Sequence, residues 1–166
     1  MSYGDEKRRV LYAKDVHQLN LVLGKFVQKS EAETVLLVDN SGHLLARQGV
    51  NSPSGEDTIA AIVAGTFNAS QAMAAMLGDD EFSSLVPCGE GRNVMLLRSG
   101  PEALLAVAFD DQTSETLVRT YALEAVRRLT SIVQAADAAR NADPEERIES
   151  KRFDNEIDHA LTDVFG

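Results

Sequence analysis

The chain is poor in the residues that build chemistry. Among 166 residues there is one cysteine, Cys88, no tryptophan and three histidines. A single thiol excludes an internal disulfide and leaves a thiolate zinc site short of ligands. His17, His43 and His159 stand alone, with no ligand spacing between them. His17 and His159 read as exposed helix residues and His43 as a hairpin residue. Cys88 has no His or Asp near it in sequence to make it a nucleophile. The segment Cys88-Gly89-Glu90-Gly91-Arg92-Asn93 has two glycines but no Lys-Ser/Thr pair, so it is a turn and not a phosphate loop. Asp79, Asp80 and Glu81 form a polar helix exit. No catalytic residue, cofactor site or metal site is expected.

Positive charge is also scarce. Sixteen Lys and Arg against twenty-six Asp and Glu leave a formal net charge of -10, which argues against nucleic acid, since phosphate binding requires a positive field. The basic clusters Lys7-Arg8-Arg9 and Arg127-Arg128 are short and read as solvated. The N-terminus MSYGDEKRRV has no apolar run behind it, so the expected location is the cytoplasm.

The absence that bears most on function lies between Asp57 and Asp79. The stretch "TIAAIVAGTFNASQAMAAMLG", residues 58–78, has no charged residue, in a chain that is 25% charged. Its Thr, Asn, Ser, Gln, Gly and Ala content makes it a poor membrane span. On a helical wheel Ile59, Ile62, Val63, Met73 and Leu77 share one side, with Phe67 at the margin. That bulky side is expected to pack on a sheet. Ala60, Ala61, Ala64, Gly65, Asn68, Gln71, Ala72 and Ala75 share the other, where a solvated helix would carry Glu, Lys and Arg. Gly65 costs about 1 kcal/mol of helix propensity relative to Ala, and small residues let a second backbone come close. The small side is therefore expected to meet another polypeptide, the alternative being another part of the same domain.

Around this helix the periodicities alternate. Residues 1–9 read as a loose, charged tail. Val16, Leu19, Leu23, Phe26 and Val27 recur at helical steps over 15–30. The runs Thr34 to Asp39 and His43 to Gln48 flank Asn40-Ser41-Gly42, a hairpin signal. A loop at 50–56 precedes the bare helix, which is expected to stop at Gly78. Strands are expected near 82–86, 94–98 and 103–109, the last two joined by Ser99-Gly100-Pro101. A final helix from about Ser114 to Ala136 would bury Leu117, Val118, Tyr121, Ala125, Leu129, Ile132 and Val133. Residues 137–152 have linker composition. The predicted fold is α/β, a five-stranded, mostly antiparallel sheet flanked by helices in the order α-β-β-α-β-β-β-α.

The remaining stretch, 153–166, spaces Phe153, Ile157, Leu161 and Phe165 four apart, with Val164 beside them and acids between. It is too short to hold a helix alone. It either folds back on its own domain or docks on a partner from a tether.

Three stretches taken together, "LLVDNSGHLLARQG" (36–49), "AGTFNASQAMAAMLGDDEF" (64–82) and "AFDDQTSETLVR" (108–119), resemble the roadblock family of dynein-light-chain-like proteins, in particular its bacterial MglB branch. The resemblance covers residues 10–136. It implies a homodimer with central helices side by side and sheets joined edge to edge, whose two protomers bind one Ras-like GTPase of the MglA type. On that resemblance Ala60, Ala61, Ala64, Gly65, Asn68, Gln71, Ala72 and Ala75 fall on the dimer and GTPase surface. Phe153, Ile157, Leu161, Val164 and Phe165 would dock on the GTPase and promote nucleotide exchange. Polar localisation and motility are the branch's associations.

The bare helix has no arginine, so a finger reaching the phosphates is not expected from it. Stimulation of hydrolysis would instead hold the GTPase's own residues in place. Two rival readings stand: a roadblock scaffold that leaves the nucleotide cycle unchanged, and a ligand-sensing module of the PAS or profilin-like kind.

Overall fold

Strands with two apolar sides need cover on both. The computed structural model describes residues 11–49, 55–79, 84–87 and 89–141. The elements follow the predicted order: α1 (Ala13–Ser30), β1 (Thr34–Asp39), β2 (Leu44–Gly49), α2 (Glu56–Met76), β3 (Ser84–Pro87), β4 (Arg92–Ser99), β5 (Ala103–Asp110) and α3 (Glu115–Asn141). The sheet runs β2-β1-β5-β4-β3, with every neighbouring pair antiparallel. Central β5 sends Leu105, Val107 and Phe109 into the core under α1 and α3, and Leu104 and Ala106 toward α2.

The two sides are covered unequally. Leu19, Leu23 and Phe26 of α1 and Val118, Ala122, Leu129 and Val133 of α3 fill one side with Val35, Leu37, Met95 and Leu97. Each large side chain buried there contributes about 1.5–3 kcal/mol. Among the described residues the opposite side has α2 alone, over Leu36, Val38, Leu96, Leu104 and Ala106.

Side chains at the element ends explain the boundaries. The Asp15 carboxylate accepts the Tyr12 N–H at 3.2 Å and so closes the first turn of α1. At the tip of the first hairpin, Asp39 Oδ1 accepts the backbone N–H groups of Ser41 and His43 at 3.0 and 2.8 Å. Gly42 takes φ 90° there, and a Cβ on it would stand 3.0 Å from the Ala61 Cα, so the hairpin tip backs directly onto α2. Asp110 Oδ1 accepts from Gln112 N at 3.0 Å and Thr113 Oγ1 at 3.2 Å, and Ser114 Oγ accepts from Leu117 N, which turns β5 into α3.

Three expectations shift. β4 begins at Arg92 rather than 94, because Arg92 pairs with Asp110 across the ladder. α3 continues to Asn141, into the stretch read as linker. Leu117 is exposed rather than buried, since its side of α3 turns off the sheet. Residues 1–9, Cys88, His159 and 142–166 lie outside the described residues.

Gly49 ends β2 at φ 126°, where a Cβ would run into the Glu33 carbonyl oxygen and the Thr34 Cα. Gly49→Ala is expected to cost more than about 1 kcal/mol, read as a lower urea midpoint with an unchanged slope.

Candidate functional site

The candidate site is the outward surface of α2. Its sheet-facing stripe is not the bulky one. Ala60, Val63, Ala64 and Phe67 are buried against the sheet, with Ile59 half-buried beside them. Ile62 is 61% exposed, Met73 62%, Met76 88% and Leu77 83%. The expectation that the large residues face inward is therefore corrected for Ile62, Met73 and Leu77. It is corrected in the opposite sense for Ala60 and Ala64, which lie beneath the helix and cannot meet a partner directly. The physical reason is distance: two alanines let the helix axis drop close to the strands, and Phe67 then fills the space between helix and sheet.

The outward surface divides into two adjoining stripes. Ala61, Gly65, Asn68 and Ala72 form a small one at four- and three-residue steps. Ile62, Ala69, Met73 and Met76 form an apolar one beside it. All eight are exposed. Ala75 is exposed too, on the second half of the helix. By length and composition Asp57–Met76 could cross a membrane, but its embedded stripe identifies a sheet-covering helix.

Gly65 adds a separate observation. A Cβ built on it meets nothing within 4 Å. No described neighbour in the chain requires the glycine, whereas Gly42 and Gly49 are each held by one.

Gln71 also departs from the expected pattern. The positions 60, 64, 67 and 71 continue one stripe, so Gln71 belongs to the sheet-facing side, yet it is exposed. Arg98 of β4 meets it, donating from Nη2 to Gln71 Oε1 at 2.7 Å. The same guanidinium lies 5.3 Å from the centroid of the Phe67 ring. Sequence reasoning did not connect Arg98 with α2. The one available signal was an arginine on the same strand face as Val94 and Leu96.

Other arginines are engaged elsewhere. Arg92 pairs with Glu33 at 3.2 Å and Arg119 with Glu115 at 3.2 Å, while Arg47 lies on β2. His43 Nδ1 stands 3.3 Å from Asp39 Oδ2 in the hairpin. The docking residues Phe153, Ile157, Leu161, Val164 and Phe165 lie outside the described residues.

Residues 18–109 match the family model of the Roadblock/LC7 domain. The chain belongs to the roadblock family. Its structure is similar to that of the gliding protein MglB from Thermus thermophilus, at 29% identity and a TM-score of 0.70, over 76% of this chain and 96% of that one. It is similar to Myxococcus xanthus MglB at 27% identity and a TM-score of 0.70, over 77% and 96%. An MglB structure with a tetrameric arrangement is similar at 29% identity and a TM-score of 0.71, over 76% and 96%. No curated protein matches the sequence.

With open space at its Cβ, Gly65→Ala is expected to stabilise the isolated protomer by about 0.5–1 kcal/mol, measured by thermal denaturation at a concentration where the chain is monomeric.

Proposed function

We propose that this roadblock protein is a cytoplasmic, homodimeric regulator of a Ras-like small GTPase of the MglA type. The observation that carries the reading is the uncharged outward surface of α2, where Ile62, Met73 and Met76 stand exposed beside the Ala61-Gly65-Asn68-Ala72 stripe. Apolar side chains this exposed, at helical spacing, mark an interaction surface. The small stripe admits a second backbone closely, and the bulky stripe supplies apolar area to bury. The twin protomer and the GTPase share this surface, two protomers to one GTPase. The similarity to two MglB structures over nearly their whole length supports this choice of partner.

Stimulation of GTP hydrolysis works by placement. The docking helix itself has no charge between Asp57 and Asp79, so α2 offers nothing to stabilise the transferring phosphoryl group directly. It holds the GTPase's switch segments so that the GTPase's own Arg and Gln act, which is catalysis by orientation. Residues 153–166 dock separately on the same GTPase and promote release of GDP. The linker keeps their effective concentration high.

The test is turnover of an MglA-type GTPase with and without the chain. Gly65→Arg is expected to abolish both complex formation and stimulation while the protomer keeps its far-UV spectrum. Arg47, Arg92, Arg98 and Arg119, replaced singly, should leave most of the stimulation at saturation intact. A fall of several orders of magnitude at one of them, with binding unchanged, would establish a finger instead. Binding without any change in turnover would establish the scaffold reading.

Removal of residues 150–166 is expected to slow GDP release from the GTPase and to spare hydrolysis, followed with a fluorescent GDP analogue. Unchanged release would confine the activity to the folded domain.

A further inference from the structure

The two halves of α2 are attached to the domain by different means. Among the described residues, every fully buried position of the helix falls between Ala60 and Phe67. From Asn68 to Met76 none is buried, and only Ser70 and Ala74 are half-buried. The stripe 60, 64, 67, 71 thus leaves its apolar bed after Phe67, and at Gln71 it meets a guanidinium instead.

That guanidinium is fixed on three sides. Arg98 donates from Nη2 to Gln71 Oε1 at 2.7 Å and from Nη1 to the Pro101 carbonyl at 3.4 Å. Its guanidinium carbon also lies 5.3 Å from the centroid of the Phe67 ring. Pro101 belongs to the turn that leads from β4 into β5, and its carbonyl also accepts from Asn40 Nδ2 at 3.0 Å. The anchor is therefore the β4–β5 turn at the end of the sheet, tied to the tip of the first hairpin. A guanidinium is planar, always charged and acts only as a donor. The Gln71 atom it meets must then be the oxygen, and the contact has one geometry.

The geometry points to Arg98 as the positioning residue of the contact surface: a strut from the sheet that holds the second half of α2 through Gln71, at the angle that presents Met73 and Met76. The part that concerns a partner rests on the proposed function; the strut itself does not. Lysine cannot replace it, because an ammonium on a flexible stem lacks the planar fork that reaches Gln71 and Pro101 together.

Amide hydrogen exchange on the full chain tests the strut. Arg98→Met and Gln71→Met are each expected to speed exchange of amides 71–77 by about tenfold, the scale of one lost charge-assisted hydrogen bond. Amides 60–67 should exchange as in the wild type. The double variant should be no faster than either single one. Gln71→Glu, which keeps the acceptor, should stay protected, and Arg98→Lys should not restore protection. Unchanged exchange in Arg98→Met, or a uniform rise through the whole helix, would overturn the inference. With an MglA-type GTPase, Arg98→Met should raise the concentration for half-maximal stimulation severalfold and leave the saturated rate intact. A fall in the saturated rate would overturn the positioning role. A wild-type chain that binds no such GTPase would overturn the functional reading alone, because exchange decides the strut independently.

Discussion

One helix faces a side of a sheet that two helices cover on the other. This inequality governs the rest of the structure. α1 and α3 together fill their side with Leu19, Leu23, Phe26, Val118, Leu129 and Val133. α2 has only Ala60, Val63, Ala64 and Phe67 to set against five strands. A single helix about 10 Å across cannot span strands spaced nearly 5 Å apart across such a sheet. It lies close, buries one narrow stripe and leaves the remainder of its circumference outside. Among the described residues nothing covers that apolar circumference, and leaving it wet forgoes about 25 cal/mol for each Å², which is the driving force that the proposed function assigns to a partner.

Charge placement follows the same division. The protein has a formal net charge of -10, yet ion pairs gather on α1, α3 and the strand ends, at Lys29–Glu124, Arg128–Glu124 and Arg92–Glu33. These exposed pairs contribute little stability each. They hydrate the layer of α1 and α3, whereas the described outward surface of α2 carries no charged residue between Asp57 and Asp79. A neutral surface gives up electrostatic steering and attracts no crowd of wrong partners through charge. Its selectivity has to come from shape, which requires the helix to sit at a defined angle. That requirement gives Arg98 its importance: it supplies a charge-assisted contact to a surface otherwise built from dispersion and burial.

The element order, the Asn40-Ser41-Gly42 hairpin and the α1 stripe were all legible in the sequence, because period and turn chemistry are local. The roll of α2 was not. A wheel oriented by all the large residues misplaces them, because Met73 and Leu77 lie in or just past a half of the helix with no fully buried position. Residues without a bed beneath them carry no information about which side is inside. Over residues 59–67 alone, Phe67 and Val63 define the buried stripe and Ile62 falls outside it. Alanine compounds the problem: Ala60 is buried and Ala61 exposed, and nothing in their chemistry tells them apart. The run of α3 past Ala136 was hidden likewise, since "DAARN" is good helix composition as well as good linker composition.

The corrected roll changes what the proposed contact rests on. Had the large residues faced the sheet, the outward surface would have been alanine and glycine, which a tolerant solvent-facing helix can also show. With Ala60 and Ala64 turned under, the exposed side carries Ile62, Met73 and Met76 as well. A helix that buries Ala60 and Ala64 against its own sheet and leaves Met73 and Met76 exposed suits two contacts, the first inside the protomer and, on the proposed function, the second with a partner. Methionine suits the second, because its flexible, polarisable side chain can fit a surface whose details are set by another chain. Gly65 suits it equally: an exposed glycine with open space at its Cβ among the described residues weakens the helix without relieving any crowding there, which fits the close approach of a partner in the proposed function.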